Sequence, residues 1–251
     1  MHNAGATSPF LLLGDHAGNR VPRSLDQLGL PDAELERHIG WDIGIAGLGV
    51  QLADRLGAAF IHQAYSRLVI DCNRRPGAPD SIPRVSDGTP VPGNAALDER
   101  QASARAAAIQ APYQQAIADE LDRRSALGVP TVLVSLHSFT PAMRGVARPW
   151  HIGILHDAGD NRFAVALLQA LAEEPDLVVG DNVPYSMDTI DFTVPLHAYP
   201  RALPYAEIEI RQDLLATANG IEQWSERMER QLIAAQSAVG SLDAAPRPGT
   251  N

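Results

Sequence analysis

Thr131-Val132-Leu133-Val134-Ser135-Leu136 follows a Gly128-Val129-Pro130 turn and runs into His137-Ser138-Phe139-Thr140. This β-branched, almost unbroken apolar run reads as a strand buried on both faces. Such strands belong to parallel sheets covered by helices, so the segment predicts an α/β fold. The pattern repeats outward in both directions. Pro9-Phe10-Leu11-Leu12-Leu13-Gly14, Ala59-Phe60-Ile61, Leu68-Val69-Ile70, His151-Ile152-Gly153-Ile154-Leu155 and Ala206-Glu207-Ile208-Glu209-Ile210 are further strand candidates. Helical patterns cover residues 43–56, 98–127, 162–172 and 221–239. Strands separated by helices of this length predict a three-layer α/β/α architecture with a mainly parallel, mixed sheet. Residues 76–95, rich in proline and glycine, read as a long functional loop. No repeat or linker divides the chain, which predicts one domain over 1–251 with flexible ends at 1–8 and 244–251.

Composition narrows the function. The chain has 251 residues, 45% hydrophobic and 20% charged, which excludes wholesale disorder and supports a sizeable core. A single cysteine, Cys72, excludes internal disulfides and multi-cysteine zinc modules. No apolar run is long enough for a membrane span, and the N-terminal residues lack the pattern of a secretory signal. Thirty acidic against twenty basic residues give a net charge of -10, which disfavours nucleic acid as a partner. A cytoplasmic protein acting on small molecules is the expectation.

Polar residues gather where strands end, and ligands in α/β sheets bind outside the carboxyl ends of strands. His16 follows the first strand and His137 follows the strongest one, so the two imidazoles could converge on a catalytic zinc. The plainer reading of each, taken alone, is a strand-end cap that hydrogen-bonds to the backbone. Glu207 and Glu209 share one strand face. Glu209 has the chemistry of a general base, or of a strand carboxylate paired with Arg211. Arg67, Arg74, Arg75 and Arg84 fall within eighteen residues. Their forks suit an acidic small substrate, and equally suit surface salt bridges. Cys72 reads as a packed residue rather than a nucleophile. Ser138 lacks a Gly-x-Ser-x-Gly elbow, Gly14 and Gly18 form no phosphate loop, and Trp41 and Trp150 read as core or pocket wall.

Seven segments in order resemble the N-formylglutamate amidohydrolase family over roughly residues 11–215. They are Asp15-His16-Ala17-Gly18-Asn19-Arg20-Val21-Pro22, His38-Ile39-Gly40-Trp41-Asp42-Ile43-Gly44 and Tyr65-Ser66-Arg67-Leu68-Val69-Ile70-Asp71-Cys72-Asn73-Arg74. The others are His137-Ser138-Phe139-Thr140-Pro141, Arg148-Pro149-Trp150-His151, Asp181-Asn182-Val183-Pro184-Tyr185-Ser186 and Glu207-Ile208-Glu209-Ile210-Arg211. The resemblance implies a phosphorylase/hydrolase-like fold similar to zinc carboxypeptidases and the aspartoacylase group.

It further implies zinc held by His16 and His137, with Arg67 polarising the scissile carbonyl and Glu209 activating water. Asn73 and Arg74 would hold a substrate carboxylate, with Arg84, Arg148 and Ser138 as further substrate contacts. One position departs from the pattern. Asn19 stands where the relatives carry a ligand glutamate, and a neutral amide is a poor zinc ligand. Asp42 or Asp71 would then supply the acid, with Asp42 favoured because the Trp41-Asp42 segment recurs in this branch; Asn19 is the alternative ligand. The implied reaction is hydrolysis of an N-acyl amino acid, with N-formyl-L-glutamate as reference. An amidase acting on another acyl amino acid or small peptide is the alternative, as is a non-enzymatic binding module.

Overall fold

A computed structural model describes residues 1–187 and 191–243. Six strands form the main sheet: β1 (Phe10–Gly14), β2 (Ala59–His62), β3 (Val132–Phe139), β4 (Ile152–Leu155), β5 (Val179–Asp181) and β6 (Tyr205–Arg211). They lie in the order β2-β1-β3-β6-β4-β5. The first four in this order are mutually parallel, and β4 pairs antiparallel with β6. Helices cover both faces, so the three-layer, mainly parallel expectation holds.

Helical spacing explains the layers. In α1 (Ile45–Leu56) Ile45, Leu48 and Leu52 face the first core. In α3 (Arg162–Ala172) Phe163, Leu167 and Leu171 do the same, as do Trp224, Met228 and Leu232 in α4 (Ala218–Asp243). The opposite face is covered by α2, which runs from Glu99–Arg105 through a π turn at Ala106–Gln110 into Ala111–Ala126. Its Ile109, Tyr113, Ile117 and Leu121 recur every four residues and pack on Leu11, Leu13, Ala59 and Leu133.

Several stretches differ from the sequence expectation, and β5 is a strand outside the candidates read from the sequence. Leu68-Val69-Ile70 is a buried turn, not a strand: the Ser66 hydroxyl accepts from the Leu68 N–H at 3.1 Å and bends the chain. The strand β3 extends through Phe139, so His137 and Ser138 lie inside it. The 76–95 loop contains a small hairpin, Val85–Ser86 with Thr89–Pro90, and a helical turn at Pro92–Ala95. Residues 1–8 were expected to be flexible; within them His2 exchanges two backbone hydrogen bonds with Phe60 on the edge strand β2. The 244–251 tail lies outside the described residues.

Two glycines bring loops to the site. Gly44 opens α1 at φ 86°, a left-handed conformation that any other L-residue adopts with strain. Gly153 faces Glu209 across the β4–β6 pair, and a Cβ there would meet the Val183 carbonyl oxygen at 2.1 Å. Its bare backbone lets the 181–187 segment lie against the sheet. Gly153→Ala is expected to cost about 1–3 kcal/mol of stability, measured by urea unfolding. A loss below about 0.5 kcal/mol would show that the Val183 segment yields without resistance.

Candidate active site

Side chains alternate across a sheet, and on the α2 face that alternation changes from apolar to polar towards the carboxyl ends of the strands. Leu11, Leu133 and Tyr205 form one row across β1, β3 and β6. Leu13, Ser135 and Glu207 form the next, and His137 pairs with Glu209 beyond it. Asp15 and His16 continue from the end of β1. His16, His137, Glu207 and Glu209 floor a cleft of about 320 Å³, whose lining also includes Asp42, Arg67, Asp71, Asn73, Arg74 and Tyr185.

Asp42 stands between the two imidazoles. Its Oδ2 is 2.9 Å from His137 Nδ1 and 3.5 Å from His16 Nδ1, the latter buried and without a hydrogen bond among the described residues. The outer nitrogens are each oriented from behind. His16 Nε2 lies 2.6 Å from Asp71 Oδ1. His137 Nε2 lies 3.1 Å from the Ser135 hydroxyl and 3.5 Å from Asp15 Oδ2. Thr193 in turn donates to Asp15 Oδ1 at 2.7 Å.

Arg67 Nη2 donates to Asp71 Oδ2 at 2.7 Å and Nη1 to Asp42 Oδ1 at 3.4 Å. Asp71 Oδ1 also accepts from the Asn73 N–H, so both carboxylate oxygens are engaged. Burial penalises the Asp71 charge, but Arg67 and His16 hold its carboxyl well below the usual range. Asp42 behaves likewise, with His16 and His137 overcoming its burial. Burial, with Arg67 adding to it at His16, works against protonation of the histidines. Asp71 and Asp42 nevertheless raise the His16 pKa, and Asp15 and Asp42 that of His137. Glu209 moves the other way: burial, with Asp42 adding to it, pushes its carboxyl up to about 7 against the pull of His137.

The donor set suits a metal ion. One nitrogen from each histidine and an Asp42 oxygen lie within 4.8 Å of one another, and all three residues are buried. Two imidazoles and a carboxylate match a catalytic zinc site with one position left open. The carboxylate behind His16 is the arrangement that orients a ligand imidazole. Asn19 is half-buried and does not line the cleft, while Asp42 is the acid that reaches both histidines.

The sequence profile of N-formylglutamate amidohydrolases matches residues 8–216. The chain belongs to the N-formylglutamate amidohydrolase family. It is a hydrolase acting on amide bonds. The crystal structure of a gene product of Agrobacterium tumefaciens is similar over 95% of this chain and 94% of that one, with 36% identity and a TM-score of 0.92. The N-formylglutamate amidohydrolase of Ralstonia eutropha shares the fold at 16% identity and a TM-score of 0.66, over 93% of this chain and 95% of that one. No protein in the curated comparison matches the chain.

In this amidohydrolase the remaining sequence candidates separate by position. Arg74 lines the cleft, its Nε on Asp80 at 2.8 Å and its Nη1 on the Asn73 carbonyl at 2.9 Å. The Asn73 amide holds the backbone: its oxygen accepts from the Phe192 and Thr193 N–H groups and its nitrogen donates to Asp191. Ser138 lines the cleft and donates to the Ile43 carbonyl. Arg148 sits behind the rim, its guanidinium 4.9 Å from the Tyr185 ring centre and bonded to the Tyr185 hydroxyl at 3.0 Å. Arg84 is exposed and outside the lining. Cys72 is buried, with burial pushing its thiol pKa up, which fits a packed residue.

The sequence reading missed Asp15, Ser135 and Thr193 behind His137, and Gln110 and Gln114 on α2. Gln110 donates to the Arg74 carbonyl at 2.7 Å and Gln114 to the Cys72 carbonyl at 2.9 Å, which fixes the 71–74 segment. The available signal was two glutamines, each next to an apolar residue of the α2 stripe (Ile109 and Tyr113).

Two outcomes follow from the geometry. Asp71→Asn, which strips the charge behind His16, is expected to weaken zinc binding about 10–100-fold in chelator competition; unchanged affinity would contradict the role of that carboxylate. Ligand imidazoles must be neutral, while the neighbouring carboxylates favour their protonated forms. Zinc titration should therefore release protons, with affinity falling as pH falls, as calorimetry in buffers of different ionisation enthalpy would read.

Proposed function

We propose that this chain hydrolyses the amide bond of an N-acyl amino acid with a divalent metal, zinc by its donor chemistry, held by His16, His137 and Asp42. The observation that carries this reading is the pairing of His137 with Glu209 on adjacent strands. It sets a buried carboxyl with an unpartnered Oε2, among the described residues, beside the candidate metal ligands. A metal at that position supplies a Lewis acid, which polarises a carbonyl and makes water a stronger acid.

The chain's own groups do the rest. Glu209 takes a proton from the attacking water as the new C–O bond forms, and passes it to the amine as the C–N bond breaks. Arg67, held in place by Asp42 and Asp71, faces the developing oxyanion; one such donor contributes roughly 2.7–4 kcal/mol. Arg74 has its Nε and Nη1 occupied, which leaves Nη2 for the substrate carboxylate.

N-formyl-L-glutamate heads the substrate panel, and release of formate and free amine is measured with and without a chelator. Turnover that a chelator abolishes and zinc restores supports the proposal; chelator-insensitive turnover contradicts the metal role. Glu209→Gln is expected to lower kcat about 10²–10⁴-fold while zinc binding persists. The base works only when deprotonated, so kcat/KM should fall as pH drops. Without metal its pKa is raised to about 7, and a bound cation moves that acid limb lower. The limb should vanish in Glu209→Gln, and a limb that survives would assign the base elsewhere.

A further inference from the structure

The 181–186 segment supplies no group to the reaction above, yet it brings Tyr185 to the cleft. Gly153 leaves room for the Val183 carbonyl against the sheet, and two residues later Tyr185 joins Arg67 and Glu209 in the cleft lining. Tyr185 is 40% exposed, so a solute entering the cleft meets it. Arg148 stands behind it. The Arg148 Nη1 donates to the Tyr185 oxygen at 3.0 Å and to Thr140 Oγ1 at 3.3 Å, with the guanidinium 4.9 Å from the Tyr185 ring centre. The phenol oxygen is thus an acceptor, and among the described residues its own O–H has nothing to donate to. A hydroxyl that accepts from a cation is polarised into a stronger donor.

The surroundings favour a neutral donor at this place. Carboxylates capture the cations of the cleft: Arg67 has Nη2 on Asp71 and Nη1 on Asp42, and Arg74 has Nε on Asp80. A phenol offers a hydrogen bond without a charge for those acids to take. Burial and the Glu209 charge raise the Tyr185 pKa against the pull of Arg148 and Arg67, so the phenol holds its proton. The charges that act on it include those of Glu209 and Arg67, the two groups assigned to the reacting amide.

We propose that Tyr185 is a catalytic residue whose O–H donates a hydrogen bond to the oxyanion forming on the scissile carbonyl, beside Arg67, and that Arg148 is the positioning residue that aims it. This rests on the amide-hydrolysis reading of the same site. The phenol keeps its proton throughout, so Glu209 still carries the proton from water to the leaving amine. Charge on the carbonyl oxygen develops only as water adds, so the contact should act on kcat more than on KM.

The test measures kcat and KM for N-formyl-L-glutamate with the zinc-loaded wild type, Tyr185→Phe, Arg148→Ala and the double variant. Calorimetry adds the affinities for free L-glutamate and for a phosphonomethyl analogue of the substrate, whose tetrahedral P–O⁻ copies the oxyanion. Tyr185→Phe is expected to lower kcat about 10²–10³-fold with little change in KM. It should weaken the analogue about tenfold or more and leave L-glutamate binding as it was. Arg148→Ala should lower kcat about tenfold alone and less than about twofold in the Tyr185→Phe background, because both act through one hydroxyl. A Tyr185→Phe kcat within about threefold of wild type, or a loss confined to KM and L-glutamate binding, overturns the catalytic assignment. Losses that multiply in the double variant overturn the positioning role of Arg148. The Tyr185→Phe results stand even if Arg148→Ala fails to fold. If the wild type turns over no N-acyl amino acid, the amide-hydrolysis reading fails and the analogue still decides. Affinity lost in Tyr185→Phe then supports the oxyanion donor, while equal affinity, or no binding by the wild type, overturns it.

Discussion

The carboxylate of Asp42 is buried between two imidazoles, and the surrounding loops are tied to it. Its backbone N–H donates to the His16 carbonyl at 2.8 Å, joining the start of α1 to the end of β1. Its side chain reaches His137 on β3, Arg67 on the 66–70 turn and the Ser138 N–H. Buried charge clusters of this kind contribute little net stability, because desolvation offsets the Coulomb attraction. Asp15, Asp42, Asp71, Glu207 and Glu209 are all buried at one end of one sheet, opposite His16, His137 and Arg67. Such a collection is poorly explained by folding alone and well explained by a cation that must be held in a fixed place.

Five of the six strands and the four long helices were legible from their apolar patterns, whereas the three-residue strand β5 was not read. The buried run at 131–136 and the four-residue spacing in α1 to α4 each permitted one reading. Leu68-Val69-Ile70 misled because a short apolar run has no period by which strand and buried turn can be told apart. His16, His137 and Glu209 were legible because each lies within two residues of a strand's carboxyl end. The link from Asp42 to them is tertiary: it lies 26 positions after His16, and only folding brings the carboxylate between the rings. Asp15, Ser135 and Thr193 were illegible for the same reason.

Proximity in sequence misrepresented the arginines. Arg67, Arg74, Arg75 and Arg84 read as a local positive region within a chain of net charge -10. Folding sends Arg67 and Arg74 inward and leaves Arg75 and Arg84 exposed. The inward pair is matched by carboxylates, so the cleft is acid-rich around two neutralised guanidinium groups. Its attraction for a substrate therefore depends on individual hydrogen-bond geometry and on the charge a metal would add, rather than on a diffuse positive field.

The central claim is that His16, Asp42 and His137 hold one metal ion at the floor of this cleft. Anomalous diffraction at the zinc edge from crystals of the zinc-loaded protein tests it most directly. The account requires a single peak among His16 Nδ1, His137 Nδ1 and an Asp42 carboxylate oxygen, with Glu209 close by and not coordinated. A peak at another set of side chains, or none at this site in zinc-saturated crystals, would contradict it.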